Sequence, residues 1–104
     1  MNKNVRYTTQ FKKDFKLCIK RGYNMQQIKS VMKLLENGKQ LPEKNKDHNL
    51  TGNYVDCREC HIGSDWLLIY QLFDNDIILI RTGTHSDLFS YPGICRTYLW
   101  VTNL

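Results

Sequence analysis

The stretch that decides the fold is WLLIYQLF at residues 66–73, which is apolar at nearly every position. Such a run predicts a central strand that is buried on both faces. IILIR at residues 77–81 follows after a short polar turn and predicts a neighbouring strand. YVDCRECHI at residues 54–62 alternates with a period of two and predicts a half-buried strand on the other side. VRYT at residues 5–8 is a fourth strand candidate.

Two amphipathic helices are predicted between the first strand and the others. The first, about residues 10–21, places Phe11 and Phe15 on one face and four lysines on another. The second begins after Asn24, where Gln27 is spaced for a capping box. The whole pattern, β-α-α-β-β-β, predicts an α+β fold in which a helix hairpin packs on an antiparallel four-stranded sheet. Residues 39–52 read as loop.

Length and composition exclude several classes of protein. With 104 residues the chain fits one domain, and a hydrophobic fraction of 41% is typical of a globular one. No run of about 18 apolar residues is present, so no membrane span is expected. MNKNVR at residues 1–6 has no apolar stretch behind its charges, which argues against a secretory signal. We therefore expect a cytoplasmic protein whose four cysteines stay reduced.

The charge is divided unevenly along the chain. Residues 1–50 hold twelve basic and four acidic side chains, a net charge of +8, whereas residues 51–104 have a net charge of −3. A basic half beside a nearly neutral half favours a polyanionic partner, either a nucleic acid or an acidic protein. The plain alternative is a solvated surface. The lysines on the first helix are Lys12, Lys13, Lys16 and Lys20.

CRECH at residues 57–61 matches the C-x-x-C-H pattern of haem attachment. That attachment normally takes place outside the cytoplasm, and no export signal is evident. A metal site is also disfavoured, because Cys60 faces the opposite side of a strand from Cys57 and His61. We expect ordinary small side chains on a sheet, and neither cofactor nor metal.

Three histidines and an aspartate form the stronger candidate site: His48, His61, Asp65 and His85. A single histidine is usually structural, but several at strand ends and loop junctions suggest acid–base chemistry near neutral pH. Cleavage of RNA through its ribose 2′-OH needs one group to accept a proton and another to donate one. Arg81 is a candidate cation for the phosphate, and Phe89 is a candidate for stacking on a base or for core packing.

Four blocks of the sequence together resemble the YafQ branch of the RelE toxins. They are YTTQFKKD (7–14), KDHNL (46–50), CHIGSDWLLIY (60–70) and RTGTHSDLF (81–89). The resemblance implies a microbial-ribonuclease-like fold and a bacterial type II toxin that cuts mRNA in the ribosomal A site without a metal. It places the family's catalytic residues on His48, His61, Asp65 and His85, and its aromatic residue on Phe89.

The roles that we expect within this set are partly open. His85 is the general acid, whereas Asp65 or His61 is the base or orients it. His48 and Arg81 contact the scissile phosphate. The lysines of the first helix bind phosphates of ribosomal RNA without reading its sequence.

The resemblance also implies partners. They are the 70S ribosome with its mRNA, and a cognate antitoxin of the ribbon-helix-helix type that alone contacts operator DNA. Two alternatives remain open: a catalytically weak homologue that only binds RNA or the antitoxin, and a ribonuclease that needs no ribosome.

The resemblance divides the chain into a toxin domain (1–90) and a C-terminal extension (91–104). The extension carries the apolar run YLWV at residues 98–101. Such a run packs on the domain, mediates self-association or shades the site.

Overall fold

The computed structural model describes residues 2–89, which form five strands, three α-helices and two short 3-10 helices. In chain order the elements are β1 (Asn4–Tyr7), α1 (Thr9–Lys20), α2 (Met25–Glu36), a 3-10 turn (Glu43–Asn45), β2 (His48–Asn49), a 3-10 turn (Gly52–Tyr54), β3 (Arg58–Gly63), β4 (Trp66–Leu72), β5 (Asp76–Gly83) and α3 (His85–Phe89). The α+β class is confirmed. The predicted extension at 91–104 lies outside the described residues.

The sheet has the order β1-β5-β4-β3-β2. Strands β2 to β5 pair antiparallel, but β1 pairs parallel with β5, with Asn4 opposite Asp76 and Tyr7 opposite Leu79. The predicted four-stranded antiparallel sheet is therefore wrong in strand number and in the direction of β1. Hydrophobic periodicity does not show whether two neighbouring strands run parallel or antiparallel. A parallel pair needs a long connection between its strands, and here the helix hairpin and the three middle strands form that connection.

Helices α1 and α2 cover one face of the sheet. The side chain of Thr8 caps α1 by accepting from the backbone N–H of Phe11 at 2.8 Å, and its hydroxyl donates to the carbonyl of Ile80 at 2.7 Å. Asn24 caps α2, but its side chain accepts from Gln26 rather than forming the predicted box with Gln27. The buried core between helices and sheet includes Phe11, Cys18, Ile28, Val31, Leu35, Cys60, Leu68 and Tyr70.

The opposite face of the sheet holds a second, smaller cluster of buried apolar side chains. Its members are Tyr54, Cys57, Leu67, Ile69, Ile80 and Leu88. The 3-10 turn ending at Tyr54 and the short helix α3 provide its cover. This face, which we call the site face, carries His61, the candidate catalytic residue of β3.

The segment predicted as loop at 39–52 contains two short elements that are tied to β3. Asn45, which is buried, donates from Nδ2 to the carbonyl of His61 at 2.7 Å. The strand predicted from Tyr54 begins only at Arg58, because Asp56 has a φ of 74° and breaks the extended backbone. Within residues 2–89, no helix is long and apolar enough to cross a membrane.

Candidate active site

A histidine–aspartate pair lies exposed at one end of the sheet. His85 is the first residue of α3, and Asp65 lies in the turn between β3 and β4. Asp65 Oδ1 accepts a hydrogen bond from His85 Nδ1 at 2.8 Å and another from the His85 backbone N–H at 3.2 Å. These side-chain and backbone bonds from His85 hold the pKa of the Asp65 carboxyl below its ordinary value.

The pair leaves one nitrogen of His85 available. A carboxylate only accepts, so Nδ1 carries the hydrogen, and Nε2 is left free to exchange a proton with another molecule. The two side chains are 56% and 62% exposed, for His85 and Asp65 respectively, so a large substrate has access to this nitrogen.

His61 lies beside this pair. The ring centroids of His61 and His85 are 6.0 Å apart, in an edge-to-face arrangement. Among the described residues, the ring nitrogens of His61 neither donate nor accept a hydrogen bond. His61 and His85 are therefore two imidazoles that lie close together and have unoccupied nitrogens.

His48 has a different environment. Its Nδ1 lies 2.6 Å from the Lys46 carbonyl oxygen, and its Nε2 lies 3.3 Å from Oε1 of Glu59. Both ring nitrogens thus face acceptors, so one proton must lie between the ring and the Glu59 carboxyl. Glu59 is only 4% exposed and lies on the same strand as His61, two residues before it. The alternation of β3 places Glu59 and His61 on the same side. Glu59 is not among the site residues predicted from the sequence.

The residues flanking His48 are fixed to β3 and β4. Arg58 donates to both carboxylate oxygens of Asp47, at 3.2 and 2.9 Å, and to Asn49 Oδ1 at 2.7 Å. The hydroxyl of Tyr70 donates to Asp47 as well. Burial and then the hydrogen bond to Asp47 raise the pKa of Tyr70. The short strand β2 is therefore held rigidly against β3.

The aromatic ring of Phe89 lies next to His85. Their centroids are 6.3 Å apart, and Phe89 also makes an edge contact with Tyr54 at 5.7 Å. The side chain of Phe89 is 41% exposed, so one part of the ring packs on the domain and another part faces outward. The structure brings His61, Asp65, His85 and Phe89 together.

Arg81 has a structural environment that does not suit the predicted contact with phosphate. Its side chain is 8% exposed, and its Nε and Nη2 donate to the two carboxylate oxygens of Asp14 at 2.9 and 3.0 Å. Asp14 also accepts a hydrogen bond from the backbone N–H of Thr82 at 3.2 Å. Thr82 lies on β5 beyond the residues that pair with β1. In this arrangement Arg81 fastens α1 to the sheet.

Other lysines lie close to the site. Lys44 and Lys46 line a groove of about 320 Å³ together with His61, Gln27 and Ser64. Both lysines lie in the segment predicted as loop, which gave no indication of a role for them. The four lysines predicted for α1, Lys12, Lys13, Lys16 and Lys20, are all exposed.

The cysteines of the CRECH segment face opposite sides of the sheet. Cys60 lies in the core under the helices, and Cys57 lies in the cluster of the site face. Burial raises the pKa of Cys57 to about 11 and raises that of Cys60 further. Within residues 2–89, no three side chains of His, Cys, Asp or Glu are grouped to hold a metal ion.

The fold and this site define a small α+β domain with an exposed imidazole–carboxylate site at one end of its sheet. The family model described as the bacterial toxin of type II toxin-antitoxin systems, YafQ, matches residues 3–90. The chain belongs to this YafQ toxin family.

Individual relatives agree with that assignment. The mRNA interferase toxin YafQ of Escherichia coli K12 is 41% identical over 90 residues, which is 86% of this chain and 98% of the relative. A crystal structure of YafQ from E. coli BL21(DE3) superposes with a TM-score of 0.81 at 41% identity, covering 84% of this chain and 98% of that one. The E. coli DinJ-YafQ toxin-antitoxin complex gives a TM-score of 0.80 at 41% identity, covering 86% and 99%.

Proposed function

We propose that this protein is the toxin of a type II toxin-antitoxin system and an endoribonuclease that cleaves mRNA in the A site of the ribosome. The observation that carries the proposal is the exposed His85–Asp65 pair beside the unoccupied ring of His61. The relative named an mRNA interferase supports the activity, since 98% of its length is matched.

The proposed reaction is attack of a ribose 2′-OH on the adjacent phosphorus. His61 accepts the 2′-OH proton, the 2′-oxygen bonds to phosphorus, and the bond to the 5′-oxygen of the next nucleotide breaks. His85 donates a proton from Nε2 to that leaving oxygen. The products are a 2′,3′-cyclic phosphate and a 5′-hydroxyl. Each acid–base role is typically worth about 10²–10⁴-fold in rate.

The geometry favours one of the two roles that the sequence left open for Asp65. A carboxyl whose pKa is lowered is a weak base, and its hydrogen bonds go to His85 rather than to His61. Asp65 therefore orients His85 and stabilises its protonated ring. His61, with free nitrogens, takes the role of general base.

Charge on the scissile phosphate is balanced by cations that line the groove. We assign Lys44 and Lys46 to this task in place of Arg81, because they lie with His61 in one groove. His48 stays in the proposal as a contact to the scissile phosphate, with Nε2 of its ring 3.3 Å from Oε1 of Glu59. Phe89 stacks on the base next to His85 through its exposed part.

Binding to the ribosome and to the antitoxin uses other surfaces. The exposed lysines of α1 contact phosphates of ribosomal RNA without reading sequence. A cognate antitoxin of the ribbon-helix-helix type binds and silences the toxin, and operator DNA is reached only through it. The E. coli DinJ-YafQ complex supports the antitoxin as a partner. A net charge of +5 favours an acidic antitoxin segment, and the site of action is the cytoplasm.

One assay tests this function against its two alternatives. Purified toxin is incubated with an mRNA, with and without translating ribosomes, and cleavage is mapped by primer extension. We expect cuts only with ribosomes, and none from His61→Ala. Cuts in naked RNA would identify a free ribonuclease. Absence of cuts together with tight binding to ribosomes or to the antitoxin would identify a binding module.

The docking face of α1 gives a separate prediction. Replacing Lys12, Lys13, Lys16 and Lys20 with Gln is expected to weaken ribosome binding and to reduce its salt dependence, because each lost phosphate contact lowers the slope of log K against log salt by somewhat less than one. Binding is measured by pelleting with ribosomes at several salt concentrations. A Lys39→Gln variant is the control, and an unchanged slope in the fourfold variant would contradict the docking role.

A further inference from the structure

An ion pair joins the end of α1 to the helix that carries His85. Arg21, the residue that ends α1, donates from Nη1 to Asp87 Oδ2 at 2.7 Å and from Nη2 to Asp87 Oδ1 at 3.2 Å. The two side chains are 35% and 25% exposed. A two-point contact between a guanidinium and a carboxylate fixes the orientation of both groups.

Asp87 also takes part in the cap of α3. The backbone N–H of Thr84 donates to Asp87 Oδ2 at 2.9 Å, and the backbone N–H of Asp87 donates to the hydroxyl of Thr84 at 3.1 Å. This reciprocal arrangement is a capping box that begins one residue before His85. A five-residue helix has little stability by itself, so its position depends on such contacts.

The packing around the cap is tight. Gly83 has a φ of 158°, and a Cβ at this position would lie 2.8 Å from Oδ2 and 3.0 Å from Cβ of Asp87. Because residue 83 is glycine, strand β5 can lie this close to the Asp87 carboxylate, and a side chain at this position would collide with it.

We propose that Arg21 and Asp87 are positioning residues that hold α3 so that His85 keeps its hydrogen bond to Asp65 and points Nε2 at the leaving oxygen. We call the two side chains the α1–α3 brace. The inference deepens the proposed function and rests on it. Neither residue of the brace lines the groove that holds His61, Lys44 and Lys46.

The brace also links two parts of the proposed activity. Arg21 follows Lys20 directly, so the helix that carries the RNA-docking lysines and the helix that carries the general acid are joined by one ion pair. The ion pair then fixes the position of the general acid relative to the docking lysines. Hydrogen bonding to Arg21 lowers the pKa of Asp87 to about 2, so the carboxylate stays ionised at neutral pH.

The test uses two variants of the full chain. Arg21→Gln removes the cation, and Asp87→Asn removes the charge but keeps an oxygen for the cap. Each is expected to slow single-turnover cleavage of ribosome-bound mRNA by about 10- to 100-fold, since misplacement of a catalytic group by about 1 Å can cost that much. The ribosome concentration at half-maximal rate should change less than about twofold, and Arg21→Lys should restore part of the rate.

The double variant gives a sharper outcome. If the two residues act as one brace, it should be no slower than either single variant. Rate losses that multiply, or full rates in the single variants, would overturn the proposal. Arg6→Gln, which removes an exposed ion pair on β1, is the matched control and should cleave at the wild-type rate.

A second measurement separates failure of the brace from failure of the proposed function. Nitrogen chemical shifts of the His85 ring report which nitrogen carries hydrogen, whether or not RNA is cleaved. In the wild type we expect hydrogen on Nδ1, and in the brace variants a mixture of both tautomers. Unchanged shifts would refute the brace, whereas a wild-type protein that cleaves nothing would refute only the proposed function.

Discussion

His85→Ala is expected to abolish growth arrest and to lower the rate of mRNA cleavage by about 10²–10⁴-fold, because the leaving 5′-oxygen then lacks its proton donor. The free energy of unfolding should hardly change, since the side chain is 56% exposed. Growth after induction shows the loss of toxicity. Cleavage with purified ribosomes gives the rate, and urea unfolding gives the stability.

A neighbouring residue provides the matched control. Ser86 is exposed on the same short helix, so Ser86→Ala alters that helix without removing an imidazole. It should leave cleavage and toxicity unchanged. Co-purification with the antitoxin should be retained by both variants. A His85→Ala protein as toxic as the wild type would rule out His85 as the general acid.

Asp14→Ala is expected to lower the free energy of unfolding by about 3–5 kcal/mol, because it leaves the buried guanidinium of Arg81 without its anion. The backbone N–H of Thr82 loses its acceptor in the same variant. A loss of this size is a large part of the stability of a small domain. The measurement is the midpoint and slope of urea unfolding.

Two further variants separate a structural role of this ion pair from a role in RNA binding. Arg6→Ala removes an exposed pair, Arg6–Asp76 at 3.8 Å, and should cost less than about 1 kcal/mol. The double change Asp14→Ala with Arg81→Leu should recover part of the lost stability, because no unpaired charge is left buried. Wild-type stability in Asp14→Ala would contradict our account of Arg81.

The local elements of the fold were predictable from single stretches of sequence. The apolar run at residues 66–73 became β4 (Trp66–Leu72), and the lysine and phenylalanine spacing near residues 10–21 became α1. Periodicity reports how each segment divides its side chains between water and core. It indicated a strand near residues 5–8 but not its partner or direction, because β1 pairs with residues 72 positions away in β5.

The candidate site was predictable in its residue types and less so in its geometry. The motif blocks named His61, Asp65, His85 and Phe89, which the structure brings together. The place of Arg81 at the end of a strand, four residues before His85, predicts it as a phosphate contact. Nothing in the sequence near Arg81 shows that Asp14, far away on α1, would pair with it.

The sequence by itself determined the two long helices and the main strands and named the candidate acid–base side chains, because these depend on the residues and on their near neighbours. Only the tertiary structure decided how they are arranged: β1 parallel to β5, Glu59 against His48, and Arg21 against Asp87. Such contacts join positions that are distant in the chain, and chain folding rather than local preference brings them within hydrogen-bonding distance.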